Sequence, residues 1–418
     1  MSYAQISLLS FISVAMSGLV SRLNSFDGAS NGSTLLIGFV NVTGAASLLI
    51  LVRRLGLTTS LPVSAYRLFG FNFVWGGLSF LFGMFTAQDY WGWKVLLLSH
   101  LFTIVIPLAI IIGVQFDLFL KIFRFVSFVV FPIGLLLVPY ALMDDAQLVP
   151  RLVAPVMLFM LVGFYISPRW CAFFLLIGFA SIAIDFSYRT NLIRFTISAS
   201  LLAILIFRVK GVFRIWQGIV LGLFLLPLVL LALGITDQFN IFRDNAIYFD
   251  VVSRKDKVVE VMDMNVDTRT FLYVEVFNSM LRRGSSFLIG EGGAAGYDTD
   301  AFLDADLNGQ GRHAAEVGFL NILLHQGIVG VALYGAILVV SCVTAMRSSN
   351  NALCKVLGLF LMTRWVLLFV EDMPQFDVIN YINWVVVGLC LSSKFRALTD
   401  DQLRVQFSTA LKSPFRRA

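Results

Sequence analysis

The sequence predicts an all-α, polytopic membrane protein with about twelve transmembrane helices and one large polar loop between the ninth and tenth. Three observations predict it. Of 418 residues, 58% are hydrophobic and only 13% are charged, about half the charged share of a soluble domain. The apolar residues fall in near-continuous runs, long enough to cross a hydrocarbon core as helices and unlike the short alternating segments of a β-barrel. One long stretch, about 236–315, breaks the pattern.

The runs lie at about 4–21, 34–52, 67–87, 94–113, 121–140, 152–167, 170–187, 191–207, 213–235, 316–346, 354–371 and 376–393. The sixth and seventh are short, and Pro168 suits a tight helix boundary between them. Charge then orients the chain. Arg53, Arg54, Lys121, Arg124, Arg169, Arg208, Lys210, Arg214, Arg347 and Lys355 fall in every second connection, and the others hold most of the acids: Asp89, Asp144, Asp145, Asp185, Glu371, Asp372 and Asp377. Basic connections mark the cytoplasmic side. This reading gives residues 1–235 as helices one to nine, 236–315 as a large periplasmic loop, 316–393 as helices ten to twelve and 394–418 as a basic cytoplasmic tail. The net charge of +6 sits mainly in short connections and the tail, where it favours anionic lipid and gives no sign of nucleic acid. The apolar start lacks a basic flank and a cleavage site, so it is expected to be the first span. Cys171, Cys342, Cys354 and Cys390 lie in or beside apolar runs without a CxxC pair, as small hydrophobes.

Within the loop, Phe271, Val274, Phe277, Met280 and Leu281 recur at helical spacing. A surface helix from Thr268 to Arg283 follows, capped by Asp267 or Thr268 and stopped by Gly284. Gly290, Gly292, Gly293 and Gly296 then give a flexible, closely approached backbone. Asp298–Asp306 is acidic.

Several side chains there suit anion binding or proton transfer. Arg269 presents a fork that matches phosphate, although a solvated arginine is the simpler reading of it alone. Arg189 stands at the edge of a span, with Arg194 about one turn further in, where charges face a cavity or each other; an ion pair with Asp185 is the alternative. Arg282 and Arg312 add positive charge. His313 has the side chain best suited to proton transfer near neutrality. Glu316, three residues on, shares a face with it if the next helix starts near Arg312 or His313. His100 and His325 lie inside spans and read as packing residues. The spacing supplies too few ligands for a metal cluster, so no metal and no cofactor are expected.

Taken in order, Ser187-Tyr-Arg189-Thr, Asp267-Thr-Arg269, Gly290-Glu-Gly-Gly-Ala-Ala-Gly296, His313-Ala-Ala-Glu-Val-Gly-Phe-Leu320 and Gly327-Ile-Val-Gly330 resemble the bacterial O-antigen polymerase and O-antigen ligase superfamily. The resemblance is specific over about 185–335. One departure is Ala314, where family members often carry Asn after the histidine. The resemblance implies a GT-C-like glycosyltransferase of the inner membrane that joins undecaprenyl-diphosphate-linked oligosaccharide repeat units, donor to acceptor, on the periplasmic face. It implies Arg189 and Arg269, with Arg194, Arg282 and Arg312 as further candidates, against the departing diphosphate. It implies His313, or else Glu316, as base at the attacking hydroxyl, and a chain-length regulator and a flippase as candidate partners. A ligase to lipid A core, a capsule polymerase and a twelve-helix transporter are the alternatives. The transporter fits poorly, because the long loop follows the ninth span on the outer side and the two halves do not match.

Overall fold

The computed structural model describes residues 1–24, 31–57, 61–143, 148–184, 189–235, 248–252, 259–263, 270–299, 312–372 and 375–412. Among these residues the chain is helical apart from one two-stranded hairpin. Its long helices are α1 (Tyr3–Asn24), α2 (Asn31–Leu55), α3 (Val63–Thr86), α4 (Tyr90–Val114) and α5 (Phe116–Tyr140). They continue as α6 (Val156–Gly163), α7 (Pro168–Ile184), α8 (Arg189–Ile206) and α9 (Trp216–Ile235). The hairpin follows, with β1 (Tyr248–Val252) antiparallel to β2 (Val259–Asp263) and Asp250 opposite Val261. Both strands are rich in β-branched and aromatic residues, which suit a pleated ribbon. Then come α10 (Thr270–Arg282), α11 (Gly318–Ser348), α12 (Ala352–Leu367), α13 (Val378–Leu391) and α14 (Asp400–Leu411).

Among the described residues, seven helices are long and apolar enough to cross a membrane: the first five, α9 and α11. Three more, α7, α8 and α13, are apolar but shorter. The remaining two expected runs are the buried α12 and that at about 152–167, where the short helix Leu148–Leu152 ends and α6 begins only after Pro155. Proline removes a backbone donor and clashes with the preceding turn, so a continuous helix is not available there. The chain is a polytopic α-helical membrane protein.

Connections that charge assigns to one side gather at one end. Residues 148–152, 190–194, 316 and 371–378 meet beside the last turns of α1. At the other end, the Ser392 hydroxyl donates to the Val114 carbonyl (2.9 Å). Within the tail, α14 is docked on the bundle. Thr399 and Gln402 form a capping box, and Leu403, Phe407 and Leu411 are buried. The Phe407 ring lies 5.7 Å from Phe116 and 5.6 Å from Phe123. Asp400 accepts from the Tyr165 hydroxyl and the Ala352 amide, both at 2.9 Å.

α4 and α13 cross with backbones in contact. A Cβ on Gly113 would meet the Leu389 nitrogen at 2.6 Å, and one on Gly388 would meet the Gly113 Cα at 2.9 Å. Small residues permit that approach, which supplies dispersion contacts where lipid removes the hydrophobic incentive to associate. Gly113→Leu should therefore abolish the monodisperse peak of detergent-extracted protein in size-exclusion chromatography. Gly77→Leu, at a position open to space, should leave that peak unchanged.

Candidate functional site

The site is organised by a buried carboxylate. Glu371 follows α12 and is 2% exposed. Arg194, in the second turn of α8, forks onto it, Nε to Oε1 at 2.7 Å and NH2 to Oε2 at 2.8 Å. Arg364, one turn before the end of α12, donates to Oε2 at 2.9 Å. Burial pushes the Glu371 carboxyl up, but the two guanidiniums outweigh it and hold it below its usual value. Its backbone carbonyl also accepts from the Gly318 amide (2.7 Å), which fixes the start of α11. Two cations share one anion, so the cluster carries a net positive charge.

Above this cluster a cavity of about 360 Å³ is lined by Arg151, Asn191, Arg194, Glu316, Asp372 and Asp377 among others. Asp377 caps α13 through the Asn380 amide (2.8 Å). Burial raises its carboxyl above the usual range, against the pull of that amide and of Arg194, Arg151 and Arg364. Asn321 holds the approach to α11 in place. Its amide accepts from the Ala315 nitrogen (2.8 Å) and donates to the Ala315 carbonyl (2.7 Å) and to Asp372 (3.1 Å).

A second cavity, about 510 Å³, lies beside the first and is lined by Asp89, Arg283, Ser285, Glu291 and His313 among others. Arg283 reaches Glu291 at 3.2 Å, the Gly296 carbonyl at 2.6 Å and Asp298 at 2.5 Å. The segment 312–317 separates the two cavities. Its Glu316 faces the first and its His313 the second.

That segment corrects one expectation. α11 starts at Gly318, not near Arg312 or His313, because Arg312 is held in a bridge to Tyr297, with both N–H···O distances 2.8 Å. Glu316 consequently pairs with Arg312 (2.9 Å), while His313 Nδ1 lies 3.2 Å from the Ala294 carbonyl. His313 and Glu316 point to different cavities.

The glycine segment is closely approached, as expected, but its role is packing rather than looseness. α11 breaks at Gly327 (φ 66°, ψ −170°), a conformation essentially restricted to glycine. The break exposes backbone groups, and the loop before it satisfies them. Glu291 N donates to the Leu324 carbonyl (2.7 Å), and Gly292 N donates to that of His325 (3.2 Å). Ile328 N and Val329 N donate back to the carbonyls of Phe287 and Leu288, at 2.8 and 3.2 Å. Trp75 Nε1 covers the Gln326 carbonyl (2.9 Å), and the Ser79 hydroxyl covers that of His325 (2.7 Å). A Cβ on Gly293 would overlap the His100 ring, and one on Gly290 would meet the Gly327 nitrogen at 2.6 Å. All three histidines of the chain thus converge on this loop: the His100 and His325 rings lie 5.3 Å apart, and His325 Nε2 lies 3.3 Å from the Ala295 carbonyl.

α10 also differs in detail. Its buried stripe is Leu272, Val276 and Met280, and its exposed face carries Val274 and Leu281, two residues of the expected apolar stripe. The apolar face is broad, spanning more than half of the helix opposite Glu275, Asn278 and Arg282, so periodicity alone does not select which part of it is packed. Gly284 ends it with φ 64°. The Ser285 amide bonds the Met280 carbonyl (3.0 Å) and the Gly284 amide that of Leu281 (3.1 Å), a Schellman closure.

The other candidate residues fall as follows. Arg194 and Glu316 line the first cavity together. Arg312 lies in the partition, and Arg282 is exposed at the end of α10. Arg189 opens α8, about one turn before Arg194. Arg269, the capping residues Asp267 and Thr268, Asp185 and most of the acidic stretch after Asp298 lie outside the described residues. Arg364 escaped notice, although an arginine inside an apolar run is the kind of signal that marks a cavity or a partner. No group of His, Cys, Asp and Glu among the described residues forms a metal site.

The fold and cavity define the class: a polytopic membrane protein with a polar, arginine-bearing cavity at one end of the bundle. No protein-family model, no curated protein and no solved structure matches the chain.

The electrostatics set a pH dependence. Glu371 has a lowered folded value, so its stabilisation is present above its usual value of 4.5 and is lost as pH falls towards the lowered one. Thermal unfolding in detergent should show this acid-side loss. Glu371→Gln should unfold earlier at neutral pH, by about 3–5 kcal/mol for breaking a buried pair, and should show a flatter acid limb.

Proposed function

We propose that this protein is a glycosyltransferase that polymerises surface polysaccharide from lipid-diphosphate-linked repeat units. The observation that carries the reading is the first cavity, where Arg151 and Arg194 sit beside Glu316, Asp372 and Asp377 at the end of a membrane helix bundle. A departing diphosphate needs fixed positive charge in a site sheltered from water. A guanidinium fork matches its oxygens. The ion pairs of Glu371 with Arg194 and Arg364 fix Arg194 in the cavity wall, next to Arg151. Arg189 and Arg269, the arginines named by the family resemblance, are further candidates for the same diphosphate in this proposal.

The donor diphosphate occupies the Arg194 cavity, and the acceptor sugar enters from the neighbouring cavity that holds His313. The partition 312–317 then brings a base from either side to the attacking hydroxyl: His313 from the acceptor side, Glu316 from the donor side. An in-line single displacement inverts the anomeric carbon. The polyprenyl tail lies along the apolar body. In the same proposal the chain crosses the inner membrane twelve times in a GT-C-like arrangement, with both termini cytoplasmic and the cavities periplasmic. The shorter helices then cross as part of the bundle, shielded by their neighbours.

The test is the glycan banding pattern of a deletion strain. Single repeat units on lipid A core support the polymerase. Carrier-linked polymer with bare core makes the protein a ligase. Normal glycan with altered solute uptake overturns both. In complementation, Arg151→Ala, Arg269→Ala and His313→Ala should each cut long-chain glycan at unchanged membrane abundance. A drop of roughly 10–100-fold is expected for each arginine, the equivalent of a hydrogen bond to a charged group. Wild-type banding in both Arg269→Ala and His313→Ala would remove the site assignment.

A further inference from the structure

The end of the bundle opposite the cavities carries its own charge imbalance. Residues 205–217 include Arg208, Lys210 and Arg214, and residues 339–358 include Arg347 and Lys355, with no Asp or Glu in either stretch. These stretches meet in space. The Arg347 guanidinium lies 5.8 Å from the Trp216 ring centroid, and Lys355 Nζ lies 5.9 Å from that of Phe213. Arg208, Arg214 and Arg347 are exposed, and none of the ion pairs among the described residues involves them or Lys355.

Between α9 and α11 a groove of about 430 Å³ leads away from this basic end. Val220, Leu221, Phe224, Val339 and Val343 line it, with Trp216 and Arg347 at its mouth. Along α11 it runs from Ala336 to Arg347, about 16 Å at the rise of an α-helix, which matches one leaflet of a roughly 30 Å hydrocarbon core. α9 is tied to α12 at the inner end of the groove, where Phe224 stacks on Trp365 at 5.1 Å and its carbonyl accepts from Trp365 Nε1 at 3.1 Å. Only 11% of its apolar span is buried, so something else must cover the groove side.

We propose that this groove is a binding site for an anionic phospholipid. An acyl chain lies along Val220, Val339 and Val343, and the phosphate rests on Arg347, with Lys355 and Arg214 adding charge. The chemistry selects the occupant: the walls take hydrocarbon, the mouth takes an anion, and Trp216 sits at the level where indole rings collect at a membrane interface. A chain without a headgroup would leave the basic mouth uncompensated, and a free phosphate would leave the groove unfilled. The proposal does not depend on the glycan reading.

Native mass spectrometry of the full chain, delipidated in detergent and titrated with equal dioleoyl phosphatidylglycerol and dioleoyl phosphatidylcholine, tests it. One phosphatidylglycerol should be retained in preference, by about fivefold for each basic group engaged, and should raise the thermal midpoint. Arg347→Gln with Lys355→Gln should bring retention of the two lipids to parity. Val343→Trp, which fills the groove and leaves the charge intact, should lower retention of both. Equal retention by the unaltered protein overturns the proposal. So does a preference that survives both variants, or full competition by inorganic phosphate.

Discussion

Glu371 is the point on which the cavity end of this protein depends. Its carboxylate joins α8 to α12 through Arg194 and Arg364, and its backbone carbonyl fixes the first amide of α11. One residue thus pins α8 to the consecutive pair α11 and α12. A buried ion pair is a poor source of net stability, because desolvation offsets most of the Coulomb gain. What it supplies here is position. With two guanidiniums around one carboxylate, Arg194 is held in a fixed place in the cavity wall, beside the carboxylates of Asp372 and Asp377.

A second constraint comes from the solvent. In lipid every backbone donor and acceptor must find a partner within the protein, so the break of α11 at Gly327 is tolerated only because another segment covers it. Residues 287–293 do so, amide by carbonyl, and glycine is needed where the two backbones press together. The polar insertion is therefore joined to the helix bundle at the depth where α11 bends. The His100–His325 contact and the His313 position follow from that docking.

Much of this was legible in the residues. Apolar runs located the helices, because that signal is local and repeats many times. Arg194 stood out as a charge inside a run. The partners did not: nothing near Arg194 in the chain names Glu371, which is 177 residues away, or marks Arg364 as the third member. The expected pairing of His313 with Glu316 failed for a similar reason. It assumed that α11 began early, whereas the bridge between Tyr297 and Arg312 delays the helix. On α10 the apolar face is wide enough to hold both sets, so periodicity could not choose Leu272 and Val276 over Val274 and Leu281. The glycines signalled close approach but not the surface approached.

The docked helix α14 has a consequence for how the molecule is made. Phe407 closes an aromatic cluster whose other rings, Phe116 and Phe123, belong to α5, and Asp400 closes the hydrogen bonds of Tyr165 and Ala352. During synthesis those earlier groups leave the ribosome and wait, exposed at the membrane surface, until residues 400–411 have emerged. That end of the bundle therefore stays unsealed until α14 has docked.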